Sequence, residues 1–250
     1  MAQRPQIAST GLAATRPASR RIPEVDALRG IAICAMIAYH FAFDLRYFRV
    51  TRSDFEHDPF WLAARAAILS SFLLLAGASL VLAQRNRPSL AHFWRHIAII
   101  AGCALLVSAG SYAMFPQTFI WFGVLHVIAA SLIVAQPLVD APRTALGVGV
   151  AIVVAGATIS HPAFDNRTWG WLGFMTAKPS TEDYVPLFPW AGLVFFGIAV
   201  AHAASRIRAS GRRPRVEPPR WLAWAGRHSL AIYMVHQPLL IGTLWLVLRR

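Results

Sequence analysis

Charge is scarce in this chain. Asp, Glu, Lys and Arg supply 14% of its 250 residues, where a soluble domain carries about 25%. Hydrophobic residues reach 56% and the mean hydropathy is +0.49, which leaves no room for a soluble domain beside the apolar runs. Acids are scarcer than bases: 11 Asp and Glu stand against 24 Lys and Arg, giving a net charge of +13, almost all from arginine. Among long apolar runs such an excess marks cytoplasmic flanks before it suggests nucleic acid, so no nucleic-acid partner is expected. Cysteine is limited to Cys34 and Cys103, both inside apolar runs. They are expected to be small buried apolar residues, with neither a disulfide framework nor a metal site. His92 and His96 are four apart, but no third ligand is near in sequence, which argues against a metal there. Residues 1–23 lack acids and lack an apolar core. They are expected to be a disordered basic cytoplasmic tail rather than a cleavable signal, with 24–250 a single transmembrane domain. No fixed-period repeat and no inverted halves are evident.

What the chain does have is about seven apolar runs, near 27–48, 60–83, 94–114, 118–138, 144–160, 186–206 and 228–248. The expected fold is an all-α, polytopic transmembrane helix bundle. Arginine-rich segments fall at the tail and after the second, fourth and sixth runs, all on one side. The positive-inside rule then places the N-terminus in the cytoplasm of a multi-pass protein of a bacterial inner membrane. Trp169, Trp171 and Tyr184 fit an interfacial belt in the longest polar loop, 161–185. Gly77, Ala78 and Ser79 suit close helix packing.

The first run carries ionisable groups where a membrane makes them expensive. Arg29 and His40 are eleven residues apart, which returns to within roughly 20° of the same helix face, about 16 Å higher. Asp44 lies one turn beyond His40. A charge at the bilayer centre costs about 3 kcal/mol even on a lenient scale, so this stripe must face protein or water. An imidazole with a carboxylate one turn away suits a general base for an amine or hydroxyl. The same pair also suits a polar lock between helices, and periodicity leaves both readings open. Arg65 opens the second run and Asp183 stands just outside the sixth; both are candidates to hold a polar acceptor, though Arg65 also fits a snorkelling interfacial cation. His236 and Gln237 lie near mid-depth in the last run and are further substrate-binding candidates. His126 and His236 each also read as an interhelical hydrogen bonder. Arg227 and His228, at the cytoplasmic end, are candidates to meet an anionic donor. The basic stretch 206–220 reads first as inner-leaflet contact.

Five segments carry a resemblance: Asp26-Ala-Leu-Arg-Gly-Ile-Ala with His40, Ser71 to Ser79, Phe122 to Ala129, Asp183 to Gly192, and Trp224 to Pro238. The first looks like the opening-helix signature of membrane acyltransferases, shared with the acyltransferase type three family. Together they resemble the bacterial group similar to the catalytic domain of heparan-alpha-glucosaminide N-acetyltransferase. That resemblance implies an enzyme passing an acetyl group from cytoplasmic acetyl-CoA across the membrane to an amino-sugar or other glycan acceptor. Arg29 and His40 match that signature and, with Asp44 one turn beyond on the same stripe, are the candidate catalytic set. In the eukaryotic relative the reactive histidine follows the first span by a longer stretch, which makes His57, in Glu56-His-Asp58, a rival to His40. The expected partners are the bilayer, acyl-CoA and a glycan, with homo-oligomerisation left open. A proton-coupled transporter or flippase, or a non-catalytic envelope-assembly subunit, are the alternatives from other classes.

Overall fold

The computed structural model describes residues 22–85, 89–210 and 217–248. Nearly all of the expected tail, 1–23, and the middle of the basic 206–220 stretch therefore lie outside the described residues. Among the described residues no strand forms, and one isolated bridge joins Phe122 to Tyr184. The helices are α1 Pro23–Tyr47, α2 Pro59–Gln84, α3 Leu90–Met114, α4 Val124–Ala135, α5 Pro142–Thr158, α6 Arg167–Gly170, α7 Leu187–Ala209, α8 Arg220–Arg227 and α9 Ser229–Leu248. Proline opens α1, α2 and α5, where its missing N–H costs no intrahelical bond. Asp58 and Ser89 cap α2 and α3 through their side chains. Five of these helices, α1, α2, α3, α7 and α9, are long and apolar enough to cross a membrane, and α4 and α5 are shorter apolar helices. The chain is a multi-pass membrane protein.

Helix α7 occupies the centre. Its Val194, Phe195 and Ile198 are fully buried, with Leu73 of α2 and Val127 of α4 in the same core. The outward faces of α3 and α9 expose Leu105, Leu106, Leu239 and Leu246, as a lipid-facing surface should. Gly77 supports the expected close packing, since a Cβ there would strike the Val194 carbonyl of α7. Cys34 departs from expectation. It is exposed on the outward side of α1, because five residues after Arg29 the helix has turned roughly 140° away from the inward stripe. Cys103 is half-buried.

Two differences from the sequence reading shape the site. First, the fourth span does not start at 118. Pro116 and Gly123 keep 115–123 non-helical, and α4 begins only at Val124. Non-helical backbone at membrane depth needs partners, and it has them. Ser108 donates to the Ile120 carbonyl (2.6 Å), Ser111 accepts from the Ile120 N–H (3.0 Å), Thr181 donates to the Phe119 carbonyl (2.7 Å), and the Glu182 and Val185 N–H groups reach Thr118 and Phe122. His126 accepts the Gly123 N–H at Nδ1, so its proton sits on Nε2, 3.4 Å from Ser108. Second, the last span is preceded by a separate helix, α8. Its Ala223, Ala225 and Gly226 are buried while Trp221 and Trp224 are exposed. It crosses α1 at backbone contact: a Cβ on Gly226 would meet the Asp26 carbonyl, and one on Gly30 the Leu222 carbonyl. This crossing puts Arg227 and Arg29 on the wall of one cavity.

Gly226→Val is therefore expected to force α8 off α1, at a cost of about 1–3 kcal/mol, read as a fall of several degrees in the melting temperature in detergent. Gly242→Ala, where an added Cβ meets nothing within 4 Å, should leave that temperature unchanged.

Candidate functional site

The inward stripe of α1 borders two polar regions, one toward each end of the bundle. At the end where α1 begins, a cavity of about 580 Å³ lies between α1, α2, α3, α4 and the α8–α9 junction. Arg29, Ser79, His92, His96, Arg227 and Tyr233 are on its wall. The Arg29 guanidinium donates to Asp26 (3.3 Å) and to the Ser79 hydroxyl (2.5 Å), which in turn donates to the Leu75 carbonyl. Gln136, also on the wall, has a buried side-chain oxygen with no hydrogen-bond partner among the described residues. His228 is not on the wall. Its ring lies against Trp224, 4.6 Å between centroids, and its Nδ1 donates to the Trp224 carbonyl at 2.9 Å. The sequence pair Arg227 and His228 is thus split by the end of α8, and only the arginine reaches the cavity.

Toward the other end, α1 and α9 bring two histidines together. The rings of His40 and His236 are 5.0 Å apart, inclined at 63°. Tyr39 packs edge-on to His40, and Tyr233 lies 5.6 Å from His236. Asp44 is 2% exposed. Its carboxylate does not hold the imidazole one turn back; Oδ1 instead accepts from Gln237 Nε2 at 2.7 Å. The expected His40–Asp44 pair is replaced by an Asp44–Gln237 bond across the α1–α9 contact. A helical i, i+4 spacing permitted either, and the amide of α9 is the donor within reach. Asp44 Oδ2, Gln237 Oε1 and His236 Nε2 are buried without partners among the described residues.

Arg65 is near enough to Asp183 for its charge to favour the carboxylate form. Burial pushes the Asp183 carboxyl above the usual carboxylate range, against the opposing pull of the Val124 N–H, Arg65 and Lys178. Asp183 Oδ2 accepts that N–H at 3.3 Å, at the start of α4 where a negative charge is favoured. Nearby, Tyr184 donates to the Gly170 carbonyl at 2.6 Å, and burial raises its hydroxyl to about 12. His57 stands apart, its side chain 81% exposed and bonded to Asp54 at 3.0 Å.

Sequence reasoning missed Tyr233, which is on the cavity wall and against His236. Its position three residues before His236, on the same helical face, was the available signal. Nothing in sequence pointed to Ser79 as the partner of Arg29, fifty residues away. Among the described residues no group of three His, Cys, Asp or Glu side chains could hold a metal.

The model of the family described as heparan-alpha-glucosaminide N-acetyltransferase, catalytic, matches residues 21–238. The chain belongs to this family. The match spans both the cavity residues and the histidine pair, from Arg29 to Gln237. No curated protein and no solved structure matches the chain. Membership of the N-acetyltransferase family makes this a membrane protein of acetyltransferase type.

Two outcomes follow from this geometry. Gln237→Ala strands a buried carboxylate and is expected to cost about 1–3 kcal/mol, measured by thermal unfolding, while Gln237→Asn should lose less if its shorter amide still reaches Asp44. For Asp183 the folded state holds its proton more tightly than the unfolded chain does. Its contribution to stability is full below the ordinary aspartate range, near pH 4, and declines as pH rises through the elevated folded value. Asp183→Asn should remove that decline from a plot of melting temperature against pH.

Proposed function

We propose that the protein transfers an acyl group, acetyl in the first case, from acyl-CoA to an amino sugar or another glycan of the cell envelope. The observation that carries this reading is the shared wall at Tyr233. A cavity holding two arginines at one end of the bundle reaches one ring away from a pair of histidines in its middle. The positive-inside rule sets the arginine end in the cytoplasm of a bacterial inner membrane, where acyl-CoA is available. Arg29 and Arg227 supply the charge that phosphates or a thioester carbonyl need. Ser79 and Asp26 hold the Arg29 guanidinium in place for that role.

His40 takes the proton of the acceptor amine or hydroxyl as that group attacks the thioester carbonyl. The new C–N or C–O bond forms, the C–S bond breaks, and the proton passes to the departing CoA sulfur. A covalent acyl-histidine is the stepwise version of the same chemistry. Arg65 and Asp183, at the entrance to the outer side, bind the hydroxyls or amine of the acceptor. Acetyl-CoA enters this scheme as a substrate, and no metal is required by it.

The test is CoA release by the purified protein in nanodiscs, with acetyl-CoA and a panel of amino sugars. His40→Ala should lower kcat at least 100-fold, within the range of about 10²–10⁴ for loss of a general base; unchanged turnover would remove His40 from the chemistry. Arg29→Lys should raise KM for acetyl-CoA about tenfold, as for loss of one charge-assisted bond. Proton-coupled uptake in vesicles without CoA release from the wild type would favour the transporter reading, because a buried histidine pair also serves a proton path.

A further inference from the structure

His236 differs from an ordinary buried histidine in one respect. Its Nδ1 lies 2.6 Å from the Tyr233 carbonyl. A carbonyl oxygen only accepts, so Nδ1 carries the proton and Nε2 carries a bare lone pair. That Nε2 is buried and has no hydrogen-bond partner among the described residues, and its residue is 8% exposed. Buried acceptors are almost always satisfied, and an exception calls for a use. The ring beside it is His40, at 5.0 Å between centroids. At that separation a nitrogen of His40 comes within reach of Nε2 once the His40 ring turns about its Cβ–Cγ bond.

We propose, resting on the acyl-transfer reading above, that His236 is the proton partner of His40, so that the two imidazoles act as one base. His40 accepts the acceptor's proton on the nitrogen facing the substrate. The proton on its other nitrogen moves to Nε2 of His236. His40 is neutral again, now as its other tautomer, and His236 becomes an imidazolium whose Nδ1–H stays on the Tyr233 carbonyl. When the C–S bond breaks, the shift reverses: Nε2 of His236 returns its proton to His40, and His40 delivers one proton to the CoA sulfur. One proton enters the pair and one leaves. The helix fixes the acceptor tautomer through its own backbone, three residues back, so nothing outside α9 is needed to orient His236. Asp44, one turn past His40, is tied to Gln237, the residue after His236. His236 acts through His40 and is a positioning and relay residue; it does not touch the acceptor.

Two measurements test this on the full chain in nanodiscs. In 15N-histidine NMR, with the His236 signals assigned by their loss in His236→Gln, the wild type should show a protonated Nδ1 and a bare Nε2; the opposite tautomer overturns the proposal whatever the turnover. In CoA-release kinetics, His236→Gln retains an oxygen acceptor near the Nε2 position and cannot take up a proton. It should lose about 100-fold in kcat with KM for acetyl-CoA within about twofold, and His236→Ala should regain part of its kcat with added imidazole. An active wild type with an unimpaired Gln variant overturns the relay alone. A folded wild type that releases no CoA with any acceptor overturns the acyl-transfer reading and the relay with it.

Discussion

The bundle is organised by the cost of placing an ionisable side chain in hydrocarbon. α1 has three of them on one face, and that face has only one tolerable direction, inward. The orientation of α1 about its own axis is fixed as a result, with Cys34 left on the outside. α9 must then present polar groups to α1, and it does so with His236 and Gln237. α8 packs against α1 so that Arg227 shares a cavity wall with Arg29, which the Gly30 and Gly226 crossing allows because neither residue has a Cβ to hold the backbones apart. The apolar core around Phe195 and Leu73 gives the bundle its mass, yet it is indifferent to rotation of α1. The polar stripe is not.

The same cost explains the irregular outer end. The stretch 115–123 is non-helical, and its carbonyl and N–H groups find partners in Ser108, Ser111, Thr181, the 181–185 segment and the first turn of α4. Those bonds pin Asp183 to the first turn of α4 and place Arg65 within its field. Loop and helix start are thus one unit. The tryptophans and Tyr184 of 161–185 do more than mark an interface: Tyr184 bonds to Gly170 and bridges Phe122, so the loop is folded down onto the bundle.

The helices were legible in the sequence because their apolar runs are long and bounded by proline or arginine. The Arg29–His40–Asp44 stripe was legible because helical periodicity is strict over one element. What failed was everything requiring knowledge of the neighbouring element. Asp44 could have bonded His40 on its own helix; it bonds Gln237, 193 residues away. Arg227 and His228 are adjacent in sequence and part company at a helix end that hydropathy does not register, because α8 is too short and too polar to appear as a run. His92 and His96 were weighed only as metal ligands, for which a third group was missing, and their place on the cavity wall depends on α3 packing against α4. Sequence periodicity orients a helix, but it does not say which helix lies opposite.

The short helices bear on how an acyl group could cross. α4 has 12 residues and continues as a three-residue 3-10 turn, a length of roughly 24 Å against a hydrocarbon core of about 30 Å. At the start of α4, Asp183 accepts the Val124 N–H. From the opposite side the cavity climbs along Arg29 and Arg227 to Tyr233. Tyr233 lies against His236, and His236 against His40. A transfer enzyme with this geometry has no need to carry an acyl group through the full bilayer. It needs only to let donor and acceptor approach one pair of rings from opposite ends, so a chain of seven apolar helices can suffice.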